Sequence, residues 1–355
     1  MNTSTSSNKQ LAALQGLRAY ASFLVILGHC AVKGATNMGG WAVSIFFILS
    51  GFVLTYSHSS KYLSNTIKDS IIFSVNKIKK LYPLHLILLI SMIVLEAFEN
   101  NHPVPNFVAL FFNTSLLQAW FYEPFILNSF NGITWYLSAS MFLYALFPTI
   151  KKIIDKYTNT KQPIIIIIST YMLALLWSYM GNKFLSDSIC GWFQYFFPIT
   201  RTFEFIIGCN LGYIFLKRNH TKKSYVFSSV LECISLLFSF LSWKFMSNNI
   251  LNLINIDKHT VIIPSIIILI YLLACSNGII SKLFSLYPIV QYGNISPYTY
   301  MIHYPVLRYI YFILYYLNLQ NISPIIVAIA DFTLTLICSI LFLNLQKLIP
   351  AKQSK

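Results

Sequence analysis

Apolar runs about as long as a bilayer crossing alternate along this chain with short polar or lysine-rich links. Runs of roughly twenty apolar residues predict membrane-spanning helices. Ten can be placed, at 11–31, 39–57, 83–98, 133–150, 163–181, 197–216, 225–243, 260–277, 296–317 and 323–346. An eleventh apolar stretch, 105–121, carries Pro105 and Asn113 and follows Pro103. It reads as a re-entrant or interfacial segment. None of the runs shows the apolar/polar alternation of a barrel strand. The expected fold is all-α, a polytopic membrane helical bundle of about ten transmembrane helices.

Lysines orient the bundle. They crowd 61–80 (Lys61, Lys68, Lys77, Lys79, Lys80), 151–161 (Lys151, Lys152, Lys156, Lys161) and 217–223 (Lys217, Arg218, Lys222, Lys223). Basic links stay on the cytoplasmic side. Two links on one side are joined by an even number of crossings, so 83–98 leaves, 133–150 returns, and 105–121 does not cross. Four cations then fall outside (Lys33, Lys183, Lys244, Lys258) and three within spans (Arg18, Arg201, Arg308). Both termini are expected in the cytoplasm: a polar segment at 1–10, the membrane domain at 11–346 and a basic tail at 347–355. No small-residue cleavage site follows the first apolar run, so it reads as a retained span. No further soluble domain is expected.

Composition agrees. Of the 355 residues, 56% are hydrophobic and only 10% charged, which places the chain among polytopic membrane proteins. The net charge of +15 reads as topogenic and suited to anionic lipid headgroups, not nucleic acid. Six cysteines, at 30, 190, 209, 233, 275 and 338, have no metal-binding spacing and read as small apolar residues. No metal site is expected, and no glycine-rich phosphate loop or GxSxG elbow occurs.

The candidate chemistry begins in the first span. Ionisable side chains inside a membrane helix are costly and therefore functional suspects. Arg18 and His29 are eleven positions apart, which returns to within about 20° of one helix face at a separation of about 16 Å. One helix thus presents a cation able to hold an anionic substrate and an imidazole able to take a proton. The second span holds Phe46, Phe47, Ser50 and Gly51, where small residues admit a neighbouring backbone or an extended ligand. Lys77 and Lys80 precede Tyr82-Pro83, either as topogenic charge or as an anion site. Trp135, Tyr136 and Ser138 open the span at 133–150. Arg201 and Glu204 lie three apart and can pair, either to hold helices in register or to serve a site. His303 is a second intramembrane imidazole and can face His29 across the bundle.

Together these pieces resemble the membrane acyltransferase-3 family, bacterial O-acyltransferases of surface polysaccharides, the O-antigen O-acetyltransferases among them. The resemblance rests on Arg18 and His29 within LxGLRAxAxxxVxxxH, FFxxSG at Phe46–Gly51, the basic pair before Tyr82-Pro83, WxLS at Trp135–Ser138, R..EF..G at Arg201–Gly208 and Y.Y..H.P at Tyr298–Pro305. It runs from about residue 10 to 346. Three departures stand out. Lys77 and Lys80 replace the family's usual arginines, keeping the charge without the bidentate fork. Ser140 stands where many members have Glu. The C-terminal hydrolase-like domain of many members is not in this sequence.

The resemblance implies acyl transfer from acyl-CoA, most often acetyl-CoA as co-substrate, to a sugar hydroxyl of a lipid-linked or surface glycan such as lipopolysaccharide O-antigen. It implies a multi-pass protein of the bacterial cytoplasmic (inner) membrane. It gives His29 the catalytic role, as general base or acyl carrier. Arg18, Ser50, Gly51, Lys77, Lys80, Tyr82 and Arg201 would bind the donor. Phe46, Phe47, Trp135, Tyr136, Ser138, Glu204 and His303 would support the site. The rival reading is a secondary transporter or flippase for a glycan or small anion. It predicts an internal repeat, and the Arg18/His29 span has no counterpart in the second half. On that reading Asp331 would be a proton-relay residue.

Overall fold

A computed structural model describes residues 11–33, 35, 38–100, 106–218, 224–246, 256–275 and 278–348. The segments expected at 1–10 and at 349–355 of the tail, and Pro103, Pro105, Lys222 and Lys223, lie outside the described residues. The described residues form an all-α polytopic bundle without strands. The longer helices are α1 (Ala12–His29), α2 (Met38–Ser57), α3 (Ile67–Ile78), α4 (Tyr82–Asn100), α5 (Phe107–Thr114), α6 (Trp135–Ile154) and α7 (Lys161–Phe184). They continue as α8 (Asp187–Tyr195), α9 (Pro198–Lys217), α10 (Tyr225–Met246), α11 (Ile263–Cys275), α12 (Ile279–Phe284), α13 (Tyr287–Tyr316) and α14 (Pro324–Leu348).

Every apolar run assigned as a span forms a helix, but the runs are not equivalent. Among the described residues seven helical segments are long and apolar enough to cross a membrane: 38–57, 82–99, 132–154, 161–184, 225–244, 258–275 and 324–348. The other three assigned spans are α1, α9 and α13, of 18, 20 and 30 residues. They hold Arg18 and His29, Arg201 and Glu204, and His303 and Arg308. Arg201, Glu204 and His303 are buried in the bundle, Arg18 and Arg308 are half-buried, and His29 is exposed. The count of ten rests on these three helices.

Two stretches differ from the simplest reading. The apolar segment 105–121 yields only the eight-residue α5 and a short turn at Gln118–Trp120. Eight residues rise about 12 Å, short of a hydrocarbon core of about 30 Å. The basic link before Tyr82 contains the amphipathic α3. Thr66 caps it by accepting from the Asp69 backbone N–H at 3.2 Å, and its Ser74 hydroxyl bonds the Met141 carbonyl of α6.

Helix α2 packs deepest, and small residues let it do so. A Cβ added at Gly208 of α9 would lie 2.0 Å from the Ile48 carbonyl oxygen, and one at Gly51 would lie 2.3 Å from the Phe205 carbonyl oxygen. The two backbones therefore touch along a glycine seam. A second seam joins α1 to α13. A Cβ at Gly293 would lie 2.0 Å from the Gln15 carbonyl oxygen, and Ser22 bonds Thr299 at 3.1 Å. His29 meets His303 at 3.2 Å. Positions 15, 22 and 29 are seven apart and share one face of α1.

Candidate active site

Two cavities lie one behind the other between α1, α2, α6 and α13. The first, about 150 Å³, is lined by Arg18, Ser50, Lys77, Tyr136, Tyr144 and Tyr300, among others. It adjoins the lysine-rich face, where α3 ends at Ile78 and α4 begins. The second, about 310 Å³, is lined by His29, Trp135, Tyr195, Phe196, Tyr300 and Tyr304, among others. It adjoins the opposite face, where α1 ends and α2, α6 and α9 begin. Tyr300 belongs to both walls.

Arg18 is the cation of the first cavity. Among the described residues no carboxylate pairs with it. Its electrostatic neighbours are the phenols Tyr136 and Tyr144, which stand beside Ser50 and Ser140. Tyr136, Ser140 and Tyr144 are four apart on α6, one face of one helix. Tyr136 is a predicted site residue and Ser140 a noted departure from the family pattern, whereas Tyr144 carries no sequence motif. The i, i+4, i+8 spacing of polar residues is the signal that could have found Tyr144. An unpaired guanidinium among neutral donors is arranged for an anionic or strongly polar ligand.

Lys77 stands at the mouth of this cavity. Its ammonium donates to His58 Nε2 at 3.3 Å and lies 5.0 Å from the centre of the Phe73 ring. His58 Nδ1–H donates to the Leu54 carbonyl at 3.0 Å, so the neutral ring offers Nε2 to the lysine. Burial, then the charges of Lys77, Lys61 and Lys151, hold His58 below the ordinary imidazole value. Burial, then Lys61 and Lys80, likewise lowers Lys77. No sequence motif marked His58. It lies nineteen positions from Lys77, in a link whose helical fold decides the contact.

His29 lines the second cavity. Its Nδ1 lies 3.0 Å from the Val25 carbonyl oxygen and 3.2 Å from His303 Nε2. His303 Nδ1 lies 3.3 Å from the Thr299 carbonyl oxygen. Carbonyl oxygens only accept, so neutral rings must each carry the proton on Nδ1. His29 Nδ1–H then donates to both Val25 and His303, and His29 Nε2 keeps a free lone pair. That is the protonation pattern of a general base. Tyr304 packs edge-on against the His29 ring, with centroids 5.9 Å apart.

The other predicted residues divide. Phe46 lines the Arg18 cavity, and Phe47 lies under Tyr136 at 4.6 Å between centroids. Gly51 is spent on the glycine seam. Lys80 is exposed on the lysine-rich face, where its carbonyl accepts from Gln346. Tyr82 donates to the Thr114 carbonyl at 2.9 Å, tying α4 to α5. Trp135 borders the His29 cavity. Ser138 is buried and its hydroxyl has no partner among the described residues. Arg201 is 1% exposed and fully committed. It donates to both Glu204 oxygens at 3.0 and 3.1 Å and to the Gln194 and Tyr195 carbonyls at 2.9 and 2.8 Å. That pair fixes the start of α9 to the end of α8. Asp331 is fully buried on α14 with Cys30 and Thr335 as hydrogen-bond partners. Among the described residues no three His, Cys, Asp or Glu side chains gather as a metal-binding group.

The acyltransferase MdmB of Streptomyces mycarofaciens is 32% identical to this chain over 164 residues, 41% of either chain. The peptidoglycan O-acetyltransferase OatA of Listeria monocytogenes is 25% identical over 321 residues, 86% of this chain and 50% of the relative. The O-acetyltransferase OatA of Staphylococcus aureus is 24% identical over 347 residues, 93% of this chain and 55% of the relative. The chain thus spans about half the length of the curated relatives it matches. No solved structure matches. The profile of the acyltransferase domain matches residues 11–344, nearly the whole sequence, and the chain belongs to the membrane acyltransferase-3 family.

Proposed function

We propose that this protein moves an acetyl group from cytoplasmic acetyl-CoA to a sugar hydroxyl of a cell-envelope glycan on the other side of the cytoplasmic membrane. The observation that carries the reading is the pair of cavities meeting at Tyr300, one with the unpaired Arg18 guanidinium and one with the free His29 Nε2. By the positive-inside rule the lysine-rich face is the cytoplasmic one.

The donor is anionic. Lys77 and the exposed lysines of that face, Lys80 included, attract its phosphates. Arg18, with Ser50, Tyr136 and Tyr144 around it, holds the polar amide arm. The acyl end leads and reaches His29 beyond Tyr300. His29 Nε2 takes the proton of the sugar hydroxyl as its oxygen attacks the thioester carbonyl. The tetrahedral intermediate then expels the CoA thiolate, which recovers that proton from His29. A thioester is already activated, so positioning, proton removal and charge stabilisation suffice. Initial attack by His29 Nε2 itself, followed by transfer from an acyl-imidazole, uses the same geometry.

The acceptor class is a glycan hydroxyl. The name of the Listeria relative points to peptidoglycan, while lipopolysaccharide O-antigen is the acceptor that the family resemblance implies by analogy. The test is transfer of labelled acetyl from acetyl-CoA in membranes holding equal amounts of wild type, His29→Ala or Arg18→Ala, with each glycan as acceptor. Wild type should label one glycan, His29→Ala should abolish transfer, and Arg18→Ala should raise the donor KM. Undiminished transfer by His29→Ala would overturn the mechanism. No labelling by wild type would overturn the function.

A further inference from the structure

Tyr300 is the side chain common to both cavities. It is 6% exposed, so the ring fills the passage instead of lining an open one. Phe46 and Tyr136 stand against it from the Arg18 side, with centroids at 6.0 and 5.3 Å. His303 stands against it from the His29 side, at 5.8 Å. Among the described residues its hydroxyl bonds only the Ile133 carbonyl, at 3.5 Å, the outer limit of such a bond. The ring is held in place by packing, with little polar anchoring.

We propose that Tyr300 determines acyl-chain specificity, as an aromatic septum that admits a short acyl group to His29 and refuses longer ones. This rests on the acyl-transfer reading above. A donor held by Arg18 presents its acyl end to the septum, and its carbonyl must pass the ring to meet His29 Nε2. Until the ring turns aside, the whole acyl chain is held on the donor side, so every added methylene has to fit beside Tyr300, Phe46 and Tyr136 before the carbonyl can pass. The space on the donor side is about 150 Å³, against about 310 Å³ beyond the ring. The constriction is therefore the septum and the donor cavity, and the roomier acceptor side does not set the limit.

The experiment compares acetyl-, propionyl- and butyryl-CoA as donors for wild type, Tyr300→Phe and Tyr300→Leu in membranes with matched protein levels. Transfer to glycan and free CoA release are both recorded. One methylene in an apolar pocket is worth roughly 10- to 200-fold in discrimination. Wild type should favour acetyl over butyryl by at least about tenfold. Tyr300→Phe keeps the ring and should keep that preference. Tyr300→Leu removes the septum, and the acetyl-to-butyryl ratio should fall by at least about tenfold. It should also release CoA without transfer, because water gains access to the thioester. A general packing defect would slow all three donors alike and leave the ratio unchanged, which overturns the proposal. An unchanged ratio in Tyr300→Leu at full activity overturns it too. Both results leave acetyl transfer by wild type standing. Absence of wild-type transfer from any donor instead removes the reading beneath it.

Discussion

Replacing His303 by Phe keeps an aromatic ring of similar size in a fully buried position and removes both ring nitrogens. The Thr299 carbonyl remains bonded within α13, so no helix bond is lost. What changes is His29. Its Nδ1–H has two acceptors, Val25 at 3.0 Å and His303 at 3.2 Å, and one of them survives. The tautomer persists, but the ring is freer to turn away from the cavity. A neutral hydrogen bond contributes a net of about 0.5–1.5 kcal/mol. At 1.36 kcal/mol per tenfold in rate, loss of one such bond lowers kcat between about twofold and about tenfold. The donor KM should not change, because Arg18 and Lys77 are untouched. By contrast, His29→Ala removes the base itself and should cost roughly 10²- to 10⁴-fold. The double variant is the decisive measurement. If His303 acts only through His29, His29→Ala/His303→Phe should be no slower than His29→Ala alone. The assay is the initial rate of acetyl transfer at saturating donor, with expression matched by immunoblot. Full kcat in His303→Phe, or a further loss of the same factor in the double variant, would refute the positioning role.

Three other outcomes follow from the packing. Arg201→Met should leave Glu204 buried without its partner and destabilise the protein by about 3–5 kcal/mol, read as thermal unfolding in detergent. The Arg201→Met/Glu204→Leu double variant should recover most of that loss, whereas a donor-binding Arg201 would show a raised donor KM at unchanged stability. Gly208→Ala forces a Cβ to within 2.0 Å of the Ile48 carbonyl oxygen and should cost about 1–3 kcal/mol. Gly191→Ala, where a Cβ meets nothing within 4 Å, should be neutral or mildly stabilising, and equal melting temperatures for the two would contradict the glycine seam. His58 is held below the ordinary imidazole value of about 6.5 by burial and by Lys77, Lys61 and Lys151. Its folded pKa is depressed, so acid protonates the unfolded chain first and stability falls as pH drops below that value. Between pH 6.5 and 5 the wild-type melting temperature should fall further than that of His58→Gln, which accepts from Lys77 without titrating. Parallel curves would show that His58 carries no such linkage.

Much of this was legible in the order of residues. Apolar run length marks helices because a bilayer core has no water to satisfy open backbone groups, and each assigned run is helical. The eleven-residue register of Arg18 and His29 follows from helix geometry alone, and family membership from six short motifs in order. The polar face of α6 was also there to read in the spacing of Tyr136, Ser140 and Tyr144. Tertiary structure decided the rest, because one helix cannot specify what faces it. Ser50 and Gly51 looked like one feature, yet the close approach of α9 uses the glycine for packing and leaves the serine to the cavity. Lys77 and Lys80 looked like a pair, yet only Lys77 turns to the cavity, where His58 holds it. Arg201 and Arg18 were both intramembrane arginines. Four acceptors surround Arg201, while none of the bundle's carboxylates pairs with Arg18 among the described residues. Local spacing determines which residues share a face, and only the packed neighbour determines whether that face closes on another helix or opens on a site.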